Sequence, residues 1–406
     1  MLKKIKQLGP GLLFAGAAIG VSHLVYSTRA GANFGFGLLW ALLLINVVKY
    51  PFFQFGPRYA AATGESLLEG YNKLGKGVLI SYFLLTFATM FTIQTAVTIV
   101  TASLASELFG SDLNNFHWCM VITGICLAIL VIGRYKLLDN LMKIIILTLT
   151  ITTVLAVVFA TQEVGSVSFT QIFPEETPHI IFLVAFMGWM PAPLDISIWH
   201  SLWAVEKRKS GDIEKNTDKK IALFDFNIGY IATIILGAGF VALGALVMYN
   251  SGETFSDKGG EFANQLISLY TNTLGDHFSM IIAIAAFTTM FSTTLTTLDA
   301  SPRAMASTSK LLAPKLVKHT YVFWMLVLII GTTVILGFFT SEMGTLIKIA
   351  TILSFLTAPF YAMINYILLT SKHTPEEWRP KMAMKIFSIL GILFLIGFSV
   401  WYLTIL

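Results

Sequence analysis

Residues 184–201 read VAFMGWMPAPLDISIWHS. The run up to Gly188 is apolar enough for a membrane helix, yet Pro191 and Pro193 then fall two residues apart. Each proline removes a backbone donor and clashes with the preceding turn, so this spacing predicts a helix that unwinds. Residues 14–35, FAGAAIGVSHLVYSTRAGANFG, pose the same problem more mildly, with Gly16 and Gly20 inside an apolar run. In hydrocarbon, unwound backbone persists only where it lines a cavity or is buried in protein. Two interrupted helices at matching places in a chain point to a transporter with its binding site at the breaks.

The rest of the chain supplies the frame. Of 406 residues, 56% are hydrophobic and 12% charged, about half the charged fraction of a soluble domain. Apolar stretches able to cross ~30 Å of hydrocarbon fall near 10–33, 36–58, 78–108, 117–133, 138–161, 179–203, 222–249, 277–298, 320–340, 343–370 and 383–405. The interrupted stretches are the first and the sixth, five apart. The expectation is an all-α polytopic membrane protein with one transmembrane domain over residues 1–406. It is built as two inverted halves of five helices with an eleventh helix added, helices 1 and 6 unwound near Gly20–His23 and Gly188–Pro193. The polar stretch 204–221 has room for a loop and a short helix only. The opening Met-Leu-Lys-Lys-Ile-Lys imitates a signal peptide. The apolar run continues past Gly20 without a small-residue cleavage site, so it reads as the first span.

With the N-terminus placed in the cytoplasm, 22 of the 27 Lys and Arg residues fall in loops on that side, among them Lys207, Arg208, Lys209, Lys215, Lys219 and Lys220. The stretches 109–116 and 162–178 contain none. That asymmetry orients a membrane protein. It predicts an extracytoplasmic C-terminus, an inner-membrane location if the source is bacterial, and a basic pI without any nucleic-acid partner. Cys119 and Cys126 lie seven apart in one apolar run and read as buried thiols, so neither a disulfide scaffold nor a cysteine zinc cluster is expected. No phosphate-binding loop, nucleophile–base set or carboxylate pair stands out, so neither an enzyme nor a cofactor is read. The partners expected are a small ion or solute and the lipid bilayer.

Residues 8–69 carry Leu8-Gly9-Pro10, Ala30-Gly31-Ala32, Phe34-Gly35, Leu38-Leu39-Trp40, and Arg58 ahead of Ala62-Thr63-Gly64. With His200-Ser201 after the sixth-span break and Pro359-Phe360 in the tenth span, the chain resembles the NRAMP (natural resistance-associated macrophage protein) family of divalent-metal transporters. The resemblance implies a LeuT-type architecture with substrate held between helices 1 and 6. The functional motifs depart from it. The family's Asp-Pro-Gly-Asn break, whose Asp and Asn bind metal, falls on Gly20, Val21, Ser22 and His23. Its Met-Pro-His motif falls on Pro193, Leu194 and Asp195 when counted back without a gap from His200. Counted with three inserted residues, it falls on Met190, Pro191 and Ala192. A family glutamine in helix 10 falls on Thr357, and the helix 3 acidic pair of its proton route on Gln94 and Val97.

Each candidate has a structural reading beside the functional one. His23 is either a metal ligand, since imidazole suits zinc, iron or copper, or a helix-break histidine bonded to a carbonyl. Asp195 is either a site carboxylate or the N-cap of the second half-helix. Ser22 has the same capping alternative, and Thr357 the alternative of bonding back to its own helix. Lys49 lies about 20 Å into span 2 at 1.5 Å per residue, too deep for easy snorkelling. It is expected to balance charge with Asp195 or a substrate anion. Lys143, Lys348, Asp225 and Asp299 sit near span ends and read as interfacial. The substrate-binding candidates are Gly20, Ser22, His23, Met190, Asp195 and Thr357, with His23 and Asp195 as metal ligands. The reading is a transporter working by alternating access, with a divalent cation as the family-implied substrate. That cation is read as Mg²⁺ or another, with weak or absent Mn²⁺ and Fe²⁺ transport, because the motif residues are replaced. The alternatives are a small organic or zwitterionic solute on the same fold, and a transport-inactive membrane sensor.

Overall fold

A computed structural model describes residues 10–110, 113–163, 168–209, 219–249, 255–274, 279–315, 319–339 and 342–405. Lys3, Lys4, Lys6, Leu8, Gly9 and Lys215 lie outside the described residues, and so does the side chain of Lys143. The described chain is helical. Helix α1 (Pro10–Ala18) and α2 (Ser22–Phe34) form one bent span, followed by α3 (Leu39–Thr63), the short α4 (Leu67–Leu74) and α5 (Lys76–Phe109). Next come α6 (Asn115–Glu163), α7 (Thr177–Trp189), α8 (Ile196–Lys209) and α9 (Lys219–Leu243), which continues as a π-helical turn over Gly244–Met248. The chain closes with α10 (Gly259–Leu274), α11 (Ser279–Leu312), α12 (Thr320–Phe339), α13 (Met343–Thr370) and α14 (Met382–Leu403). Among the described residues seven helices are long and apolar enough to cross a membrane, or eight when the bent pair α1–α2 is taken as one span. Exposed Ile132, Ile330, Phe338 and Leu393 are the lipid-facing surface that such a composition requires.

The two breaks differ, and the sequence explains the difference. Between α7 and α8 the residues 190–195 leave the helix altogether. Pro191 cannot donate to the Met187 carbonyl, nor Pro193 to that of Trp189, so the last turn of α7 ends with acceptors unsatisfied by its own helix. Between α1 and α2 there is no proline. Only Ile19 and Gly20 leave the helix, and the axis bends by 50°. Ser22 and His23 already belong to a π-helical turn, with the His23 and Leu24 N–H groups bonded to the Gly20 carbonyl. The expected unwinding over Gly20–His23 is therefore corrected to a tight break at Ile19–Gly20.

Glycines set how closely the broken spans pack. A Cβ on Gly31 would lie 2.0 Å from the Val241 carbonyl oxygen, and one on Gly244 would lie 2.1 Å from that of Thr28. The first span thus lies backbone to backbone on α9, the seventh. Reciprocally, a Cβ on Gly56 of α3, the second span, would lie 2.2 Å from the Ser197 carbonyl oxygen of α8, in the sixth. Contacts of 1 with 7 and of 6 with 2 are exchanged by a repeat of five helices, the relation that two inverted halves impose. Asp225 takes part in the same crossing: its Oδ2 accepts the Gly11 N–H at 2.7 Å and caps the start of α1. Asp299 is clamped by Arg303 and by the Tyr321 hydroxyl, each at 2.8 Å. Cys119 and Cys126 are both buried free thiols.

Candidate functional site at the two helix breaks

Lys49 is fully buried. Its Nζ donates to the carbonyl oxygens of Gly188 at 2.7 Å, Met187 at 2.9 Å, Met190 at 3.0 Å and Ala192 at 3.3 Å. Three N–H groups serve four acceptors, so one bond is shared. Met187 and Gly188 belong to the last turn of α7, where Pro191 withholds the N–H that Met187 would have used, and they carry the negative end of its dipole; Met190 and Ala192 belong to the unwound segment. The ammonium closes the C-terminal end of α7 from a neighbouring helix.

Asp195 is buried on the opposite flank of the same break, directly before α8 and against the Ile196 N–H. It occupies the N-cap position expected of it. Its Oδ1 has no hydrogen-bond partner. Lys49 and Asp195 act on each other electrostatically, while the ammonium gives its hydrogen bonds to the backbone carbonyls. The backbone carbonyls offer the ammonium four acceptors where the carboxylate would offer two. Asp195 also faces Tyr82 and Tyr361. The hydroxyls of Tyr82, Thr86 and Tyr361 are buried together, Thr86 beside both tyrosines, and like Asp195 Oδ1 none makes a well-formed hydrogen bond. The cluster was not legible in the sequence, because tyrosine and threonine within apolar helices raise no alarm. Two hydroxyl residues four apart on α5, Tyr82 and Thr86, are the trace it leaves there.

The other candidates form a second group around the first break. His23 is fully buried, and its Nε2 lies 3.0 Å from the Thr233 carbonyl oxygen, so Nε2 carries the proton. Nδ1 then accepts from the Ser22 hydroxyl at 2.7 Å. Ser22 Oγ also lies 3.0 Å from the Ala18 carbonyl oxygen and 3.4 Å from that of Pro191, which ties α2 to the second break. Met190 Sδ and His23 Cδ2 both approach Gly237, at 3.4 and 3.6 Å from the position of a Cβ there. Met190 of the second break and His23 of the first thus share Gly237 of α9 as a neighbour. Thr357 stands apart, its hydroxyl bonded back to the Leu353 and Ser354 carbonyls of α13. Helix α13 reaches the breaks instead through Ser354, which accepts the Trp189 indole N–H at 2.7 Å, and through Thr351, which accepts the Tyr26 hydroxyl at 3.2 Å.

A cavity of about 20 Å³ lies between the breaks, lined by Gly20, Ser22, Val97, Trp189, Thr293 and Trp199 among others. That is room for about one water molecule. Its lining hydroxyls already have partners: Thr293 bonds to the Ile19 carbonyl, and Thr297 donates to Gln94 Oε1 at 2.7 Å. The Gln94 amide in turn donates to Thr98. Among the described residues no group of three or more His, Cys, Asp or Glu is placed to hold a metal ion.

Residues 11–404 match the profile of the natural resistance-associated macrophage protein-like family. An uncharacterised protein of Pasteurella multocida is 36% identical over 411 aligned positions, covering 99% of this chain and 92% of that protein. Among solved structures, an Eremococcus coleocola manganese transporter superposes with a TM-score of 0.73 at 12% identity, over 97% of this chain and 85% of that one. MhsT in complex with L-phenylalanine gives 0.63 at 14% identity, over 98% and 97%. Mhp1, a nucleobase-cation-symport-1 family transporter, gives 0.59 at 13% identity, over 97% and 92%. At these identities the likeness is one of fold, and the fold is the LeuT-type five-plus-five inverted repeat with an eleventh helix.

Proposed function

The chain belongs to the natural resistance-associated macrophage protein-like family of membrane transporters, and from that premise we propose that it carries a small solute across the membrane by alternating access at the paired breaks. The observation that carries the reading is the meeting of both interruptions, Ile19–Gly20 and residues 190–195, at one small cavity. Unwound backbone at membrane depth is costly unless it serves a site. The topology proposed with it is eleven spans, the N-terminus in the cytoplasm and the C-terminus outside, from the distribution of Lys and Arg.

The family's cargo class is the divalent metal cation, and the Eremococcus coleocola neighbour is a manganese transporter. Within that class the reading here is Mg²⁺, which keeps most of its own water and needs few protein ligands. Mn²⁺ and Fe²⁺ lose the family's motif carboxylate at Gly20, and the two nitrogens of His23 are already bonded. Proton coupling through helix 3 has no carboxylate either, since Gln94 and Val97 stand at those positions. One observation favours a second reading, a small zwitterionic organic solute. The buried Lys49 ammonium raises the potential of the site, which repels a cation and suits a carboxylate. The LeuT-type fold admits such cargo, as the L-phenylalanine complex of MhsT illustrates.

Uptake into proteoliposomes of Mn²⁺, Mg²⁺ and a mixture of amino acids, measured side by side, tests these readings. Mg²⁺ uptake without Mn²⁺ uptake supports the first and amino-acid uptake the second. Micromolar-affinity Mn²⁺ uptake abolished by His23→Ala would show that the argument from lost ligands is wrong. No uptake of any solute, from a folded protein, would leave the third possibility, a transport-inactive sensor.

A further inference from the structure

The four carbonyls around Lys49 Nζ form a cage whose geometry is that of a cation site. Oxygen distances of 2.7–3.3 Å surround a single positive atom. The cage stands at the negative end of α7, with a buried carboxylate on its flank. Mg²⁺ and Ca²⁺ draw oxygens to about 2.0–2.6 Å, so a cage this wide suits an ammonium or a large monovalent ion. Nothing in the helix itself fills it. Pro191 and Pro193 withhold the N–H groups that the last turn would have used. The positive charge arrives on a side chain from α3.

We propose that the end of α7 is a monovalent-cation site filled from within by the Lys49 ammonium, which takes the place that a free coupling ion would occupy and makes the break independent of ions in solution. This concerns the cage and not the cargo, so it stands whichever solute the protein carries. Three consequences follow from the charges. The wild-type protein gains no specific stability from Na⁺, K⁺ or NH₄⁺. Removing the ammonium while leaving the carbonyls and Asp195 exposes a buried negative site. A small cation from solution should then enter it, and Asp195 should strengthen its hold.

The test compares wild type, Lys49→Ala and the double variant Lys49→Ala/Asp195→Asn, purified in detergent. Thermal unfolding midpoints are followed while choline chloride is exchanged for NH₄Cl, KCl, NaCl or tetramethylammonium chloride at constant ionic strength. Lys49→Ala should be stabilised saturably by NH₄⁺ or K⁺ and not by tetramethylammonium, which is too large for the cage. The double variant should need roughly tenfold more cation, a difference of about 1.4 kcal/mol. Wild type should respond to none of them. Should Lys49→Ala fail to yield monodisperse protein in choline, preparation in NH₄Cl should recover it. The proposal is overturned by a folded Lys49→Ala indifferent to small cations, by a wild type showing the same saturable response, or by a variant that ammonium does not recover.

Discussion

Gly188 packs so closely on Thr351 that a Cβ on the glycine would lie 2.3 Å from the threonine carbonyl oxygen. Both groups are backbone, so neither can swing aside. The same glycine gives its own carbonyl to Lys49 at 2.7 Å. Contact between α7 and α13 therefore sets the position of the cage wall. Gly188→Ala should force the helices apart and destabilise by about 1–3 kcal/mol, the range for overpacking a filled interior. Gly77→Ala is the control: nothing lies within 4 Å of a Cβ there, so a helical alanine should be neutral or stabilising by up to about 1 kcal/mol. Thermal unfolding of the two variants in detergent decides it; equal midpoints would mean that α7 and α13 separate without cost.

Lys49→Met removes four carbonyl bonds and leaves Asp195 as an uncompensated buried charge. Breaking a buried charge arrangement from one side costs about 3–5 kcal/mol. Adding Asp195→Asn should return part of this, because it removes the charge left behind. The two groups interact through space and not by contact, so the coupling should sit at the lower end of the roughly 0.5–3 kcal/mol found for neighbouring sites. Unfolding midpoints of wild type, both single variants and the double variant provide the cycle. Strict additivity would mean that Lys49 and Asp195 do not sense each other.

How far the sequence disclosed this site depended on the kind of signal. Pro191 and Pro193 announce the second break, because proline acts on its own backbone and needs no partner to be read. Lys49 stands out by depth alone, since a lysine in hydrocarbon must have a reason. Its partners do not stand out: backbone carbonyls are present at every residue, and only the three-dimensional course of α7 gathers four of them. Asp195 is the opposite charge that the sequence makes visible at that depth, beside a substrate anion. His23 was legible as a residue at a break, but its bond to Thr233 depends on how α9 crosses α2, which Gly31 and Gly244 set by close approach. Thr357 was assigned by alignment alone, and a slip of three or six residues along one helix, to Ser354 or Thr351, separates it from the hydroxyls that α13 does present.

His23 ties α2 to α9 as a neutral ring, donating to Thr233 and accepting from its neighbour Ser22. A side chain that keeps a donor at that reach should be tolerated better than one that does not. His23→Gln should lose less stability than His23→Leu, which strands the buried Thr233 carbonyl at a cost of about 1–3 kcal/mol. The comparison is again of unfolding midpoints, with Mn²⁺ added in a parallel series. If Mn²⁺ raised the wild-type midpoint and the rise vanished in His23→Gln, the imidazole would be a metal ligand and its bonds to the protein would be secondary.

Two buried tyrosines offer a sharper comparison, because they differ in whether the hydroxyl has a partner. Tyr71 donates to Asn365 Oδ1 at 2.5 Å, and Asn365 in turn donates to Ser197 at 3.0 Å and to the Phe52 carbonyl at 3.3 Å, linking α4, α13, α8 and α3. Tyr361, also on α13, is equally buried but its hydroxyl makes no well-formed hydrogen bond. Tyr71→Phe should leave the buried Asn365 oxygen without its donor and cost about 1–3 kcal/mol. Tyr361→Phe removes a buried polar group that has no partner, and by the same accounting it should be neutral or stabilising. Ring packing is kept in both, so the difference isolates the hydroxyl. Should Tyr361→Phe prove as damaging as Tyr71→Phe, the hydroxyl has a partner after all. The Thr86 hydroxyl, which interacts with Tyr361, is then the candidate partner, and a further Thr86→Val change in the Tyr361→Phe background would show non-additivity.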